Sequence, residues 1–302
     1  MTLSPHIDAL LDLAACPADR LWRYPICRVM VRPAMRTPLT PNHVTALHTL
    51  LAVLAGAAVT TGTPRALFAA GLLFEIRAVL DCFDGALARA KGVCSPTGRA
   101  LDQLGDAVGF ISLMAGGFAC LSRAHGPATA GALVLATTLV AASCTAAWDL
   151  FRRRLASLVT RGYDAAAEER LALLRACAAR PAAALQMSRL VQEFQWYVLG
   201  AHAAPRRRND GASREGGAVP AVTPLGRAVQ DAAARNDPEL RALLLRVGFV
   251  GGDNILLLLT ASLLLGRFVE AFPLAIVWGV AILVHTASSV NRYLVEGARA
   301  ST

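Results

Sequence analysis

The stretch from Leu80 to Phe110 reads LDCFDGALARAKGVCSPTGRALDQLGDAVGF and holds the residues best suited to chemistry. Asp81 and Asp84 are three residues apart, and Gly85 and Ala88 follow at the next helical spacings, so all four share one stripe. Asp102 and Asp106 are four apart and again share a face. Gly92 and Pro96 lie between the two groups and let the chain reverse. Two antiparallel helices would therefore bring four carboxylates together. Unpaired carboxylates in a partly dry place cost several kcal/mol each or take up protons. Divalent cations remove that penalty: all-oxygen ligation suits Mg²⁺, Mn²⁺ or Ca²⁺, and four carboxylates suit a pair of ions. Gly85 and Ala88 leave room for a ligand against the helix, and Arg89, one turn past Gly85, can reach a phosphate.

The elements that must position these groups are membrane helices. Of 302 residues, 55 % are hydrophobic and 17 % charged, against roughly 25 % charged in an ordinary globular chain. That balance excludes disorder over most of the chain, and collagen-like or disulfide-stapled classes with it. The seven cysteines form no CxxC and suggest neither a disulfide framework nor a zinc site. Apolar stretches recur in three pairs, about 43–62 and 66–80, 103–122 and 127–150, 247–266 and 271–290. Most reach the ~20 residues a helix needs to cross hydrocarbon. The second is short and is interrupted by Glu75 and Arg77. The links at 61–65, 122–126 and 266–271 read as tight turns. The expected fold is an all-α integral membrane protein with six transmembrane helices and an N-terminal interfacial amphipathic helix.

Charge sets the expected orientation. The three short links hold only Arg65, Arg123 and Arg267, Arg77 lies within a span, and the opposite side holds 26 of the 30 basic residues. That side is read as cytoplasmic, with the active site facing it. The formal net charge of +9 beside apolar spans suits anionic lipid headgroups rather than nucleic acid, which is not an expected partner. Four regions follow: 1–40, an interfacial amphipathic helix in which Leu21, Trp22, Ile26 and Val29 alternate with Arg20, Arg23, Arg28 and Arg32; 41–150, the first four spans; 151–246, a cytoplasmic helical and flexible insertion; and 247–302, the last two spans and a tail. Asp8 and Asp12 keep the N-terminus from reading as a cleaved signal peptide. Within the insertion, Leu171, Leu174, Cys177 and Ala178 have helical spacing, 205–224 reads as a flexible loop, and Arg152, Arg153 and Arg154 read as solvated or headgroup-facing.

This arrangement resembles the CDP-alcohol phosphotransferase family of integral membrane enzymes. The signature D-x2-D-G-x2-A-R-x8-G-x3-D-x3-D is met in full by Asp81, Asp84, Gly85, Ala88, Arg89, Gly98, Asp102 and Asp106, and Pro41, Asn42 and Thr45 supply a shorter element at the start of the first span. Eight fixed positions would match by accident on the order of 10⁻⁷ times per sequence. The resemblance extends to the six-helix layout and leaves out 151–246. It implies attack of an acceptor alcohol on the phosphorus distal to cytidine in a CDP-alcohol, most simply CDP-diacylglycerol, with release of CMP. It further implies Asp81, Asp84, Asp102 and Asp106 as ligands of two Mg²⁺ or Mn²⁺ ions and Asp106 as general base. Gly85, Ala88, Arg89, Gly98, Asn42 and Thr45 would form the cytidine and phosphate site, and the protein would be a homodimer.

Other readings stand beside this one. A choline- or ethanolamine-type phosphotransferase, moving a small phospho-amino-alcohol from its CDP derivative to a lipid alcohol, would use the same motif. An ion pathway would need carboxylates deep in a span rather than at helix ends, and a silent scaffold would not need all eight positions. Arg77 lies four residues before Asp81 and reads as the ion-pair partner of Asp81 or Glu75, or as a contact for a phosphate. Asp253 and Asn254 sit inside the fifth apolar stretch, where polar groups are costly, and read as acceptor-binding residues or as a hydrogen bond between helices. His43, His48 and His285 lack metal-ligand spacing and read as packing or interfacial residues.

Overall fold

A computed structural model describes residues 5–179, Glu193, Trp196 and 221–300. These residues are helical with short connections, and none is in a strand. The helices are α1 (Pro5–Leu11), α2 (Tyr24–Ala34), α3 (Pro41–Thr61), α4 (Pro64–Lys91), α5 (Pro96–His125), α6 (Pro127–Arg161), α7 (Ala165–Ala179), α8 (Pro224–Ala234), α9 (Pro238–Val250), α10 (Gly252–Leu264) and α11 (Phe268–Ala300), with a single π turn at Asp19–Arg23.

One local rule starts five of them. Thr40, Thr63, Ser95, Thr223 and Asp237 each stand before a proline, and each side chain accepts the N–H three residues on. The cap satisfies an orphan donor, and proline at the first helical position has no donor to lose. Left-handed glycines end the helices: Gly62 closes α3 at φ +68° and Gly92 closes α4 at φ +66°. The expected tight links at 61–65, 122–126 and 266–271 each contain such a positive-φ glycine.

Among the described residues, four helices are long and apolar enough to cross a membrane: α3, residues 100–125 of α5, α6, and residues 268–297 of α11. A fifth crossing follows if α9 and α10, broken at Gly251, form one span. The fifth apolar stretch is thus two helices rather than one. The second stretch, expected to end near residue 80, belongs to the 28-residue α4, which carries Glu75, Arg77, Asp81 and Asp84 and is too polar to pass as an apolar span by composition.

The chain divides into two compact units. One comprises 16–142 and 252–280 and contains the motif. Its central contact is a seam of small residues between α3 and α5. A methyl group at Gly105 would lie 2.5 Å from Thr49 Oγ1, at Gly109 3.1 Å from Ala52 Cβ, at Gly56 2.5 Å from the Ser112 carbonyl oxygen, and at Gly116 2.7 Å from the Gly56 carbonyl oxygen. Gly105, Gly109, Ser112 and Gly116 recur on one face of α5, as do Thr45, Thr49, Ala52 and Gly56 on α3, so two backbones approach where side chains would hold them apart. The expected interfacial helix is divided into short pieces. Its last helix, α2, packs Cys27 and Ala34 with Val44, Phe83 and Leu87, while Leu21 and Val29 are exposed.

The other unit comprises 1–15, 143–251 and 281–302. Leu171, Leu174, Cys177 and Ala178 fall in α7 as their spacing suggests. The arginine run near the C-terminal end of α6 corresponds only in part to solvated or headgroup-facing side chains. Arg154 is 2 % exposed, donates to Asp164 Oδ2 at 2.7 Å and stacks on Trp196 at 4.9 Å. Arg153 pairs with Asp149 and Glu169, and Arg152 lies over the Trp148 ring. Arg154 is a core ion pair because Asp164 and an aromatic face compensate its burial. The expected loop at 205–224 lies outside the described residues except for 221–224.

Substituting Gly56→Leu inserts a branched side chain against the backbone of α5. It should cost about 1–3 kcal/mol, read as a lower unfolding temperature in detergent. An unchanged temperature would mean that α3 and α5 do not meet there.

Candidate active site

The last turns of α4 and the first turns of α5 both pack against α3, and their side chains bring all four aspartates to one place. Carboxylate oxygens of Asp81, Asp102 and Asp106 lie within 4.8 Å of one another, and Asp84 and Asp102 are similarly close to His48. Asp102 belongs to both groups and joins them. Thr45 Oγ1, from α3, donates to Asp84 Oδ2 at 2.6 Å and fixes that carboxylate.

The structure corrects two sequence expectations. Arg77 does not pair with Asp81 or Glu75; its guanidinium ion-pairs with Asp106 of α5. Glu75 instead accepts from Trp22 Nε1 at 2.7 Å and from Arg23 at 3.0 Å through both Nε and Nη2. His48, read as a packing or interfacial residue without metal-ligand spacing, lies beside the aspartates. It is fully buried, with Nε2 3.3 Å from Asp84, 3.8 Å from Asp81 and 4.0 Å from Asp102. Its sequence signal was the i, i+3 step from Thr45, which places both on one face of α3. His43 is exposed and takes part in the cap of α3, and its ring nitrogen accepts from the Thr40 N–H.

Two cavities adjoin the carboxylates. The larger, about 660 Å³, is lined by Asn42, Thr45, Gly85, Ala88, Arg89 and Gly98, and it shares Asp84 and Asp102 with the cluster. These are the residues that the resemblance assigns to a nucleotide and its phosphates. Lys91, which the sequence did not single out, lines the same cavity; its ammonium donates to the carbonyls of Thr37 and Leu39. The smaller, about 50 Å³, is lined by Arg77, Asp81 and Asp253 together with Asp19 and Arg23. Asn254 lines neither of these two. It is buried, and its Oδ1 accepts from Cys16 Sγ at 3.4 Å.

Arg23 holds the smaller cavity's outer wall. It donates to Asp19 Oδ1 at 3.1 Å as well as to Glu75. Burial holds Asp19 above the usual carboxylate range, and the charge of Asp253 adds to this while Arg23 opposes it.

The donor set of the cluster fits a hard divalent cation. Four carboxylates converge with one basic guanidinium among them, and Asp102 Oδ1 and both ring nitrogens of His48 are buried without a hydrogen-bond partner. Buried polar atoms are rarely left so unless something else binds them. Asp81, Asp84, Asp102 and Asp106 are the residues that could hold it.

Three comparisons bear on the chain. The model of the CDP-alcohol phosphatidyltransferase family matches residues 38–201. The match takes in part of the 151–246 segment that the sequence resemblance leaves out. A bifunctional IPC transferase and DIPP synthase of Rubrobacter xylanophilus is 35 % identical over 143 residues, which are 46 % of this chain and 30 % of that protein. The chain thus matches under a third of that relative's length. No solved structure matches.

Glu75→Ala would leave Arg23 buried with Asp19 alone. Breaking a buried pair from one side costs about 3 kcal/mol, so the unfolding temperature should fall and Trp22 fluorescence should shift. Neither change would occur if Glu75 were solvated.

Proposed function

This chain belongs to the CDP-alcohol phosphatidyltransferase family, and from that premise we propose that it transfers a phosphatidyl group from CDP-diacylglycerol to an acceptor alcohol and releases CMP. The observation that carries the reading is the convergence of all four aspartates between two cavities, one lined by the six motif residues expected at a nucleotide. The likeness to a relative named as a transferase and synthase supports transfer chemistry.

In this reading the cytidine and pyrophosphate occupy the larger cavity. Gly85 and Ala88 keep the α4 surface open, Gly98 does the same at the start of α5, and Asn42 and Thr45 border the nucleotide from α3. Arg89 binds a phosphate oxygen. Asp81, Asp84, Asp102 and Asp106 hold two Mg²⁺ or Mn²⁺ ions, and the chemistry such ions supply when bound is neutralisation of the pyrophosphate and of the charge on departing CMP. The acceptor enters the smaller cavity beside Arg77 and Asp253, with Asn254 positioning α10 behind it. Its hydroxyl oxygen forms a bond to the distal phosphorus, the bond from that phosphorus to the CMP oxygen breaks, and the hydroxyl proton passes to Asp106. Arg77 orients Asp106 for that transfer. An oriented carboxylate close to the hydroxyl can act as base despite its ordinarily weak basicity.

The same reading has six crossings, completed by α4 and by the broken α9–α10 pair. The four regions 1–40, 41–150, 151–246 and 247–302 serve as interfacial arm, motif-bearing spans, cytoplasmic insertion and closing spans of a homodimer in phospholipid synthesis. The distribution of basic residues supports an active site facing the cytoplasm.

The test is release of CMP by purified protein with Mg²⁺ or Mn²⁺ and CDP-diacylglycerol, with candidate acceptors added one at a time; CDP-choline with diacylglycerol is the contrasting pair. Release only with the contrasting pair would overturn the donor assignment. Asp106→Asn should reduce turnover by at least about 10²-fold while nucleotide binding persists, and normal turnover would remove the base assignment. Asp102→Ala should weaken cation and nucleotide binding together in calorimetric titrations, because Asp102 joins both acidic groups; unchanged cation affinity would require a different ligand set.

A further inference from the structure

We propose that His48 is a nitrogen ligand to the cation held by the acidic cluster. The proposal rests on the reading of that cluster as a divalent-cation site. The argument starts from burial. His48 is 0 % exposed, and neither ring nitrogen makes a hydrogen bond. A buried imidazole without a partner forfeits the hydration it had in water and gains nothing in return. Its surroundings show what would compensate it. Nε2 faces three carboxylates from two other helices, at 3.3 Å from Asp84 Oδ2, 3.8 Å from Asp81 Oδ1 and 4.0 Å from Asp102 Oδ1.

Those separations suit ligands around one ion, and His48, Asp84 and Asp102 each offer an atom within 4.8 Å of the others. Ligands about 2.1 Å from a six-coordinate cation stand about 3.0 Å apart when adjacent and about 4.2 Å apart when opposite. All three Nε2 distances fall between those limits. The placement also depends on the glycine seam. Gly105 lies between Asp102 and Asp106, and a methyl there would stand 3.2 Å from His48 Cε1 and 2.5 Å from Thr49 Oγ1. Glycine at 105 lets α5 come close enough for a residue of α3 to reach the carboxylates.

The chemical consequence concerns the choice of metal. Carboxylate and water oxygens suit Mg²⁺ and Ca²⁺, whereas an imidazole nitrogen shifts preference toward transition ions, for which affinity rises along the first row from Mn²⁺. A cluster of four aspartates and one histidine therefore favours Mn²⁺ over Mg²⁺ more strongly than the aspartates alone.

Pulsed electron paramagnetic resonance of the full chain in detergent, loaded with Mn²⁺, tests this directly. The expected spectrum contains modulation from a directly bound ¹⁴N nucleus that is replaced by the ¹⁵N pattern when the protein carries ¹⁵N-histidine. The coupling should vanish in His48→Gln and persist in His43→Gln and His285→Gln. In His48→Gln the preference for Mn²⁺ over Mg²⁺ should fall by about tenfold or more. Should His48→Gln fail to fold, the labelled native chain with His6, His43, His125, His202 and His285 each changed to Gln still decides. Mn²⁺ bound at the cluster with no histidine coupling would overturn the proposal and leave the cation site standing. Absence of any Mn²⁺ binding that Asp102→Ala abolishes would overturn both.

Discussion

The repulsion among four carboxylates gathered where helices meet is the constraint around which the motif-bearing unit is arranged. Asp81, Asp84, Asp102 and Asp106 lie within about the last three turns of α4 and the first three of α5, where a hydrophobic medium would amplify like-charge repulsion. Compensation is built from three directions. Arg77 reaches across from α4 to Asp106, Thr45 donates to Asp84 from α3, and His48 stands where a cation shared with three of the acids would complete the compensation. The glycine seam between α3 and α5 is what makes two of these three possible, because Thr45 and His48 lie on the face of α3 that the seam presses against α5. Backbone proximity, which glycine alone permits here, is thereby converted into electrostatic tolerance.

The two cavities give this arrangement a direction. Asp84 and Asp102 border the larger and Asp81 borders the smaller, so the acids form a partition between them. Family membership supplies the class of chemistry, and a partition of carboxylates between a nucleotide-sized space and a small polar one is the form in which two substrates could meet across a shared set of ligands. The smaller space is also the one whose residues come from the most distant parts of the chain, Asp19 and Arg23 at one extreme and Asp253 at the other.

Local signals in the sequence carried much of this. Ser or Thr before Pro and Gly after the last apolar residue mark where helices start and stop, and the structure begins and ends α3, α4 and α5 at those residues. Aspartates at i, i+3 and i, i+4 share a face by helical geometry alone. What depends on which helices are neighbours was not legible. The partner of Arg77 lies 29 residues away, and nothing in the spacing prefers Asp106 to the nearer Glu75. His48 looks like an isolated polar residue in an apolar span until α4 and α5 are placed beside it. Arg154 reads as a surface charge because its compensation, Asp164 and Trp196, is likewise non-local. The polarity of α4 marked a weak span in the sequence, but not the reason for it.

That reason bears on biogenesis. Glu75 and Arg77 would each oppose entry of a lone α4 into lipid, at about 2.5–3.5 kcal/mol for a charge at the centre of a helix. Their partners lie on either side of α4 in the order of synthesis: Trp22 and Arg23 leave the ribosome before it, and Asp106 leaves after it. The arm that binds Glu75 is thus ready when α4 emerges, whereas Arg77 stays uncompensated until the following helix arrives. A helix so placed gains little by partitioning singly. Glu75 and Arg77 are compensated only inside the folded unit, one by a segment translated ahead of α4 and one by a segment translated after it.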